Sequence, residues 1–137
     1  SVYDLFSEQK EVSLNLQIAP DRYHIAGDKN HLIRVFNNLI INAIQAIPSD
    51  RKGDIQVSMY RVNQHAVVQI SDNGGGIPPE IRDRVFEPNF TTKTSGSGLG
   101  LAICKKIIEA HDGTIRFETR DNEGTDFFVE MPTVAIS

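Results

Sequence analysis

The chain is predicted to fold as an α+β domain, a two-layer α/β sandwich in which a mixed, mostly antiparallel sheet is covered on one face by helices. Three observations carry this. Strands and helices are interspersed without regular βαβ alternation, one long helical pattern stands near the N-terminal side, and hairpin signals recur on both sides of a glycine-rich stretch. Val12, Leu14, Leu16 and Ile18 alternate with Ser13, Asn15 and Gln17, the period of a strand with one buried face, and Pro20 ends it. Asp28 is placed as a helix N-cap. From Leu32 to Ile47 apolar residues recur at 32, 36, 39, 40, 43 and 47 until Pro48 stops the run. Strands Asp54 to Val62 and Ala66 to Ser71 flank a turn at Asn63 and Gln64 and read as a hairpin. Asp72 to Gly100 is loop-like, with a short helix near Pro79 to Phe86, and a loop of that length points to a functional lid. A helix from Leu99 to His111 closed by Gly113 follows. Strands Thr114 to Thr119 and Thr125 to Met131 come last, joined by a turn at Asn122 to Gly124.

Composition narrows the function classes. At 137 residues with 39% hydrophobic and 23% charged residues, one globular domain is the default. The net charge of -4 carries no basic stripe, so neither a nucleic-acid partner nor direct membrane contact is expected. No apolar run approaches the ~20 residues of a membrane helix and no signal peptide is visible, so the expectation is either a cytoplasmic chain or one whose targeting or membrane-anchoring part lies elsewhere in a longer protein. The single cysteine, Cys104, lies within the apolar pattern of Leu101, Ile103, Ile107 and Ile108 and reads as a buried, inert thiol.

Three segments carry candidate chemistry, and each has a plain structural alternative. On a helix, His31, Arg34, Asn38, Asn42 and Gln45 fall within about 40° of one direction. Asn is a poor helix former, so this stripe is either a set of surface amides or a place for specific hydrogen bonds or a metal contact. Asp72-Asn73-Gly74-Gly75-Gly76-Ile77 directly follows a strand. Its carboxylate can accept from an exocyclic amine such as that of adenine, with glycines allowing close approach; Asp-Asn-Gly is equally a strong turn former. Gly96-Ser97-Gly98-Leu99-Gly100-Leu101 opens a helix, where exposed N–H groups and the helix dipole favour a phosphate. Neither a Walker loop nor the dinucleotide fingerprint fits it. Taken singly each signal is ambiguous; their order along the chain makes the joint case.

In that order the sequence resembles the catalytic and ATP-binding domain of two-component sensor histidine kinases, within the superfamily shared by gyrase, Hsp90 chaperones and MutL. The resemblance covers essentially the whole chain and implies the Bergerat ATP-binding fold. Asn38 to Ala43 resembles the N box, Asp72 to Ile77 the first glycine box, Phe86 to Lys93 the F box and Gly96 to Leu101 the second glycine box. Gly124-Thr125 followed by Phe127 is similar to the closing glycine motif.

The resemblance implies a pocket for ATP and Mg2+. Asn42 would ligate magnesium through its side-chain oxygen, and Asn38 and Asn42 would be the catalytic pair. Asp72 would accept from the adenine amine, with Gly74 and Gly76 giving the ring close approach and Ile77 beside it. Phe90, Thr92, Lys93, Gly96, Ser97, Gly98, Leu99, Gly100 and Leu101 would complete the nucleotide contacts, Gly98 and Gly100 cradling the phosphates. Residues 87 to 97 would form the lid, packed by Phe86 and Phe90, and Lys105 is a weaker phosphate candidate. Three positions depart from the family pattern: Gly75 for a common proline, Asn89 for a common aromatic, and Gln45 for a phosphate-binding lysine found in many relatives. The implied partners are a histidine-bearing dimerisation domain of the same full-length kinase and a downstream response regulator. None of His24, His31, His65 or His111 fits the phospho-acceptor, so the expected object is a catalytic domain that barely turns over alone. A neutral amide at Asn38 cannot act as a general base near pH 7, which disfavours water activation. A hydrolytic ATPase module and a non-catalytic, nucleotide-switched interaction module remain the other two readings.

Overall fold

Five strands, β1 (Val12–Ile18), β2 (Gly53–Val62), β3 (His65–Asp72), β4 (Thr114–Arg120) and β5 (Gly124–Pro132), form one sheet in the order β1-β2-β3-β5-β4. Only the β1 and β2 pair is parallel; the other three ladders are antiparallel, as the sequence predicts. Among the described residues two α-helices accompany them, α1 (Lys29–Ala46) and α2 (Gly100–Ala110), with a 3-10 helix at Pro79–Arg84 in place of the short helix expected there. This architecture comes from a computed structural model that describes residues 11–18, 25, 27–88 and 100–134.

Register decides which side chains face the helices. Val57, Ile70, Phe127 and Phe117 lie in line across the sheet on one face, because directly paired residues point their side chains to the same side. Their row and the neighbouring one of Val68, Val129 and Ile115 pack against Val35, Leu39, Ala43 and Ile44 of α1 and Cys104 and Ile108 of α2. Leu39 and Ile44 are essentially inaccessible to water, and burying such a side chain contributes about 1.5–3 kcal/mol. The opposite face carries Gln56, Ser58, Gln69 and Ser71, and there the Arg116 guanidinium stacks 4.0 Å above the Phe128 ring.

The strand over Val12–Ile18 forms, but its predicted buried face is only partly buried. Val12 packs against the core, whereas Leu14 is 41% and Leu16 65% exposed. Alternation correctly marks the face these residues share. Depth of burial depends on where the helices lie, and they pack chiefly across β3 and β4 while β1 is at the sheet edge.

Capping explains why α1 starts early. Asp28 Oδ1 accepts from the N–H groups of Asn30 at 2.9 Å and His31 at 3.1 Å, so the helix begins at Lys29, before the first apolar residue of the pattern. At the far end Ile47 is extended ahead of Pro48. The two helices run antiparallel, and His111 joins their ends. Its Nδ1 lies 2.7 Å from the Ile107 carbonyl and so carries the proton, while Nε2 accepts from the Asp28 N–H at 3.1 Å. These bonds give His111 a structural task.

Backbone N–H bonds from His31 first, and from Asn30, hold the Asp28 carboxyl below its ordinary range. A depressed folded-state pKa stabilises above the unfolded value and is lost as pH falls through the folded one. Thermal melts from pH 5 down to pH 2 should therefore show wild type losing a component of stability below about pH 4. That component should be missing in Asp28→Asn, which keeps the cap but cannot titrate.

A second test concerns two glycines. Gly124 has φ +133° and a Cβ there would collide with the Asp72 carbonyl oxygen, whereas a Cβ at Gly75 meets nothing within 4 Å. Gly124→Ala should cost more than about 2 kcal/mol in urea unfolding, and Gly75→Ala should stay within about 0.5 kcal/mol of wild type.

Candidate functional site

The first glycine segment is placed where the C-terminal end of α1, the end of β3 and the β4–β5 turn meet. Asp72 ends β3 on the helix-facing side of the sheet and is buried. Its Oδ1 accepts from the N–H groups of Gly74 at 2.8 Å and Thr125 at 3.3 Å, so the carboxylate orders its own loop and binds that loop to β5. The turn reading of this segment therefore describes what Asp72 does to the loop, and a role toward adenine would be additional to it.

The glycines that follow are required by the chain itself. A Cβ on Gly74 would lie 2.5 Å from the Ala46 carbonyl oxygen at the end of α1, and the Gly75 N–H donates to that same oxygen at 3.2 Å. Gly76 has φ +81°, and a Cβ there would lie 2.5 Å from the Arg120 carbonyl oxygen. Close approach is real at both positions, and its described partners are the backbones of α1 and β4. Ile77 is half-buried against the core, and its N–H donates to Thr119 Oγ1 at 2.8 Å; Thr119 Oγ1 in turn lies 2.9 Å from Thr125 Oγ1.

The amide stripe lies along the seam between the helices. Asn38 Nδ2 donates to Cys104 Sγ at 3.8 Å, and Cys104 Sγ contacts the Val35 carbonyl at the same distance. With Asp28 bonded to His111 at one end of the pair and Asn38 to Cys104 midway, the antiparallel helices advance about 6 Å in four residues. That carries half-buried Asn42 to the level of Gly100 in the first turn of α2. Ala46, one further turn along α1, is where Gly74 docks. Asn42, the Asp72–Ile77 segment and the N-terminus of α2 thus come together at one end of the domain.

Other predicted residues fall unevenly. Leu101 packs against the core from the first turn of α2, and a Cβ on Gly100 would meet nothing within 4 Å among the described residues. Phe86 forms an aromatic cluster with Phe117 and Phe127, its ring centroid 5.9 and 6.4 Å from theirs. Lys105 Nζ stands 5.5 Å from the Phe86 ring centroid, a cation–π contact that gives this lysine a packing role. Phe90, Thr92, Lys93, Gly96, Ser97, Gly98 and Leu99 lie outside the described residues, as do His24 and all of the expected lid beyond Glu87 and Pro88.

The sequence reading missed the frame around the first glycine segment. Asn73 Oδ1 accepts from the Asp54 N–H at 2.7 Å and its Nδ2 donates to the Lys52 carbonyl at 3.0 Å. Arg51 donates to the carbonyls of Asn73 and Asn122, and the Asn122 N–H donates to the Gly75 carbonyl at 2.8 Å. Asn122 has φ 59°, and its place in a predicted turn was the one legible sign. Arg51 had none, because its partners are 22 to 71 residues away.

Comparison with known proteins gives the family and the fold. Residues 27–135 match the family described as histidine kinase-, DNA gyrase B-, and HSP90-like ATPase. The chain belongs to that family. It is 39% identical over 108 residues to Sporulation kinase C of Bacillus subtilis, covering 79% of this chain and 25% of that protein. Its fold is similar to the catalytic domain of histidine kinase ThkA, with TM-score 0.79, 35% identity, and 96% and 87% of the two chains covered. A mycobacterial sensor histidine kinase, MprB, superimposes with TM-score 0.82 at 29% identity over 98% of this chain and 92% of that one. Among the relatives, this chain is thus similar to the catalytic domain of sensor histidine kinases, and it spans a quarter of the length of Sporulation kinase C. No helix among the described residues is long and apolar enough to cross a membrane.

Cys104 is fully buried, and burial pushes its thiol pKa up. In the native domain, alkylation by iodoacetamide at pH 8 should be roughly a hundredfold slower than in the urea-unfolded chain. A comparable rate in the two states would show the helix seam to be open.

Proposed function

We propose that this chain binds ATP with magnesium and presents the γ-phosphate for transfer to a histidine on a separate dimerisation domain of a longer kinase, which in turn serves a response regulator. The observation that carries the reading is the convergence of Asp72, Asn42 and the α2 N-terminus at one end of the domain. These supply a base-reading carboxylate, a hard oxygen and the positive end of a helix dipole in the order that adenine, metal and phosphates require.

The residues present fit the two ligands. Asp72 is held by backbone N–H groups at a buried strand end, which supports a carboxylate that could meet an amine without further ordering. Among the described residues no group of three or more His, Cys, Asp or Glu side chains could hold a metal ion by itself. A magnesium ion that takes one oxygen from Asn42 and the rest from phosphates and water suits such a surface. When bound, the ion neutralises charge on the transferring phosphoryl group. The protein's own contribution is positioning: Asp72 fixes the base, the first turn of α2 fixes the phosphates, and Asn42 sits between them.

Asn38 favours transfer over hydrolysis. Its amide is engaged at the helix seam with Cys104, and a neutral amide takes no proton from water. Among the described residues Lys105 stands over Phe86 and Gln45 is neutral, so there the phosphates would rely on backbone N–H groups and the metal, with Lys93 as the remaining candidate cation. The site would lie in the cytoplasm, where ATP and response regulators are found.

Calorimetric titration with a non-hydrolysable ATP analogue, with and without magnesium, tests the pocket directly. Asp72→Asn keeps an oxygen for the Gly74 and Thr125 N–H groups but loses the charge toward adenine. ATP affinity should fall about ten- to a hundredfold, with little change for GTP; equal losses for both would remove the adenine assignment. Asn42→Asp should change the magnesium dependence more than the base preference. Gly100→Ala should leave stability unchanged or up to about 1 kcal/mol higher while weakening analogue binding, since no described residue fills the space a Cβ there would take. Incubation with an intact histidine domain should yield phosphohistidine faster than free phosphate, and the reverse ordering would favour a hydrolytic ATPase.

A further inference from the structure

Arg51 lies in the connection between α1 and β2, outside every segment that marks the proposed nucleotide pocket. Its Nη1 donates to the carbonyl oxygens of Asn73 at 3.0 Å, Asn122 at 3.0 Å and Gly74 at 3.4 Å. Its Nη2 donates to Asn122 Oδ1 at 2.8 Å. One guanidinium therefore joins the loop after β3 to the turn between β4 and β5. The Asn122 N–H closes the circuit on the Gly75 carbonyl at 2.8 Å. A planar fork of several fixed donors can serve carbonyls from two segments at once, which a lysine ammonium on a flexible stem does far less well. The neighbouring acid, Asp50, lies 3.6 Å from Arg51 Nε but is largely exposed, so that ion pair is screened.

The bonded loop needs such a frame. Asn73-Gly74-Gly75-Gly76 contains three successive glycines, the residues with the most backbone freedom to lose on ordering. Asp72 stands at the root of this loop and accepts the Gly74 N–H, so a displaced Gly74 would displace the carboxylate as well. Asn73 is fixed to Lys52 and Asp54 on one side, and Arg51 fixes the carbonyls on the other.

We propose that Arg51 is a positioning residue for base recognition: its fork across Asn73, Gly74 and Asn122 pre-orders the first glycine loop and thereby holds Asp72 where it meets adenine. The proposal rests on the reading that Asp72 accepts from the base. Removing the fork leaves the ordering of the loop to be completed during binding, which weakens affinity for the base it reads.

Arg51→Ala and Arg51→Lys in the full 137-residue chain test this, at a temperature where circular dichroism shows each variant fully folded. Amide hydrogen exchange at Gly74, Gly75 and Gly76 in nucleotide-free protein should rise in both variants. In titrations with non-hydrolysable ATP and GTP analogues, the ATP analogue should bind about tenfold more weakly in both, and the preference for ATP should shrink. A residue that served only global stability would leave the affinity of the folded protein and the base preference unchanged. A folded Arg51→Ala that binds like wild type, or an Arg51→Lys that restores wild-type affinity, overturns the positioning role alone. Should Arg51→Ala fail to fold, Arg51→Lys decides. Wild-type protein that binds neither analogue overturns the pocket reading itself.

Discussion

The contact of Gly74 with the end of α1 organises the end of the domain where the first glycine loop lies. A Cβ at Gly74 would stand 2.5 Å from the Ala46 carbonyl oxygen, so the loop after β3 can sit beneath the helix only with glycine there. The Gly75 N–H then satisfies that same carbonyl, one of the groups a helix C-terminus leaves unpaired. From this junction the other distances follow. Asp72 is carried to the helix-facing side of the sheet, Gly76 is turned toward β4, and Asn42 lies one helical turn from the loop.

Around the junction, polar side chains substitute for regular structure. The side chains of Asp72, Asn73, Thr119 and Arg51 all bond to backbone groups of the loop or of its neighbours. A buried loop must satisfy its backbone in some such way, because each unpaired buried group costs roughly 1–3 kcal/mol. The consequence is a loop held in one arrangement before any ligand arrives, which is the condition under which a carboxylate can discriminate between bases. The contrast between Gly74 or Gly76 and Gly100 is informative here: the first two are needed by the protein, while nothing described crowds the third.

Coupling between the layers runs through the helix seam. Cys104 contributes volume and a weak hydrogen bond to Asn38, and His111 joins the end of α2 to the cap of α1. The two helices are thus fixed relative to each other at two levels, and the first turn of α2 inherits its position from bonds made well along its length. Phosphate-binding geometry at a helix N-terminus depends on this kind of remote anchoring.

Hydrophobic periodicity and turn chemistry by themselves determined the element order, the hairpins and the covered-sheet class, because these depend on residues close together in the chain. The motifs at Asn38 to Ala43, Asp72 to Ile77 and Gly96 to Leu101 likewise identified the family from local sequence. Tertiary structure alone decided three things. It decided that Leu14 and Leu16 stay exposed, since burial depends on where the helices lie across the sheet. It decided that Gly74 and Gly76 answer first to Ala46 and Arg120, and that Lys105 covers Phe86. Above all it joined Arg51 to the first glycine loop, through bonds to residues up to 71 positions away that no local pattern encodes.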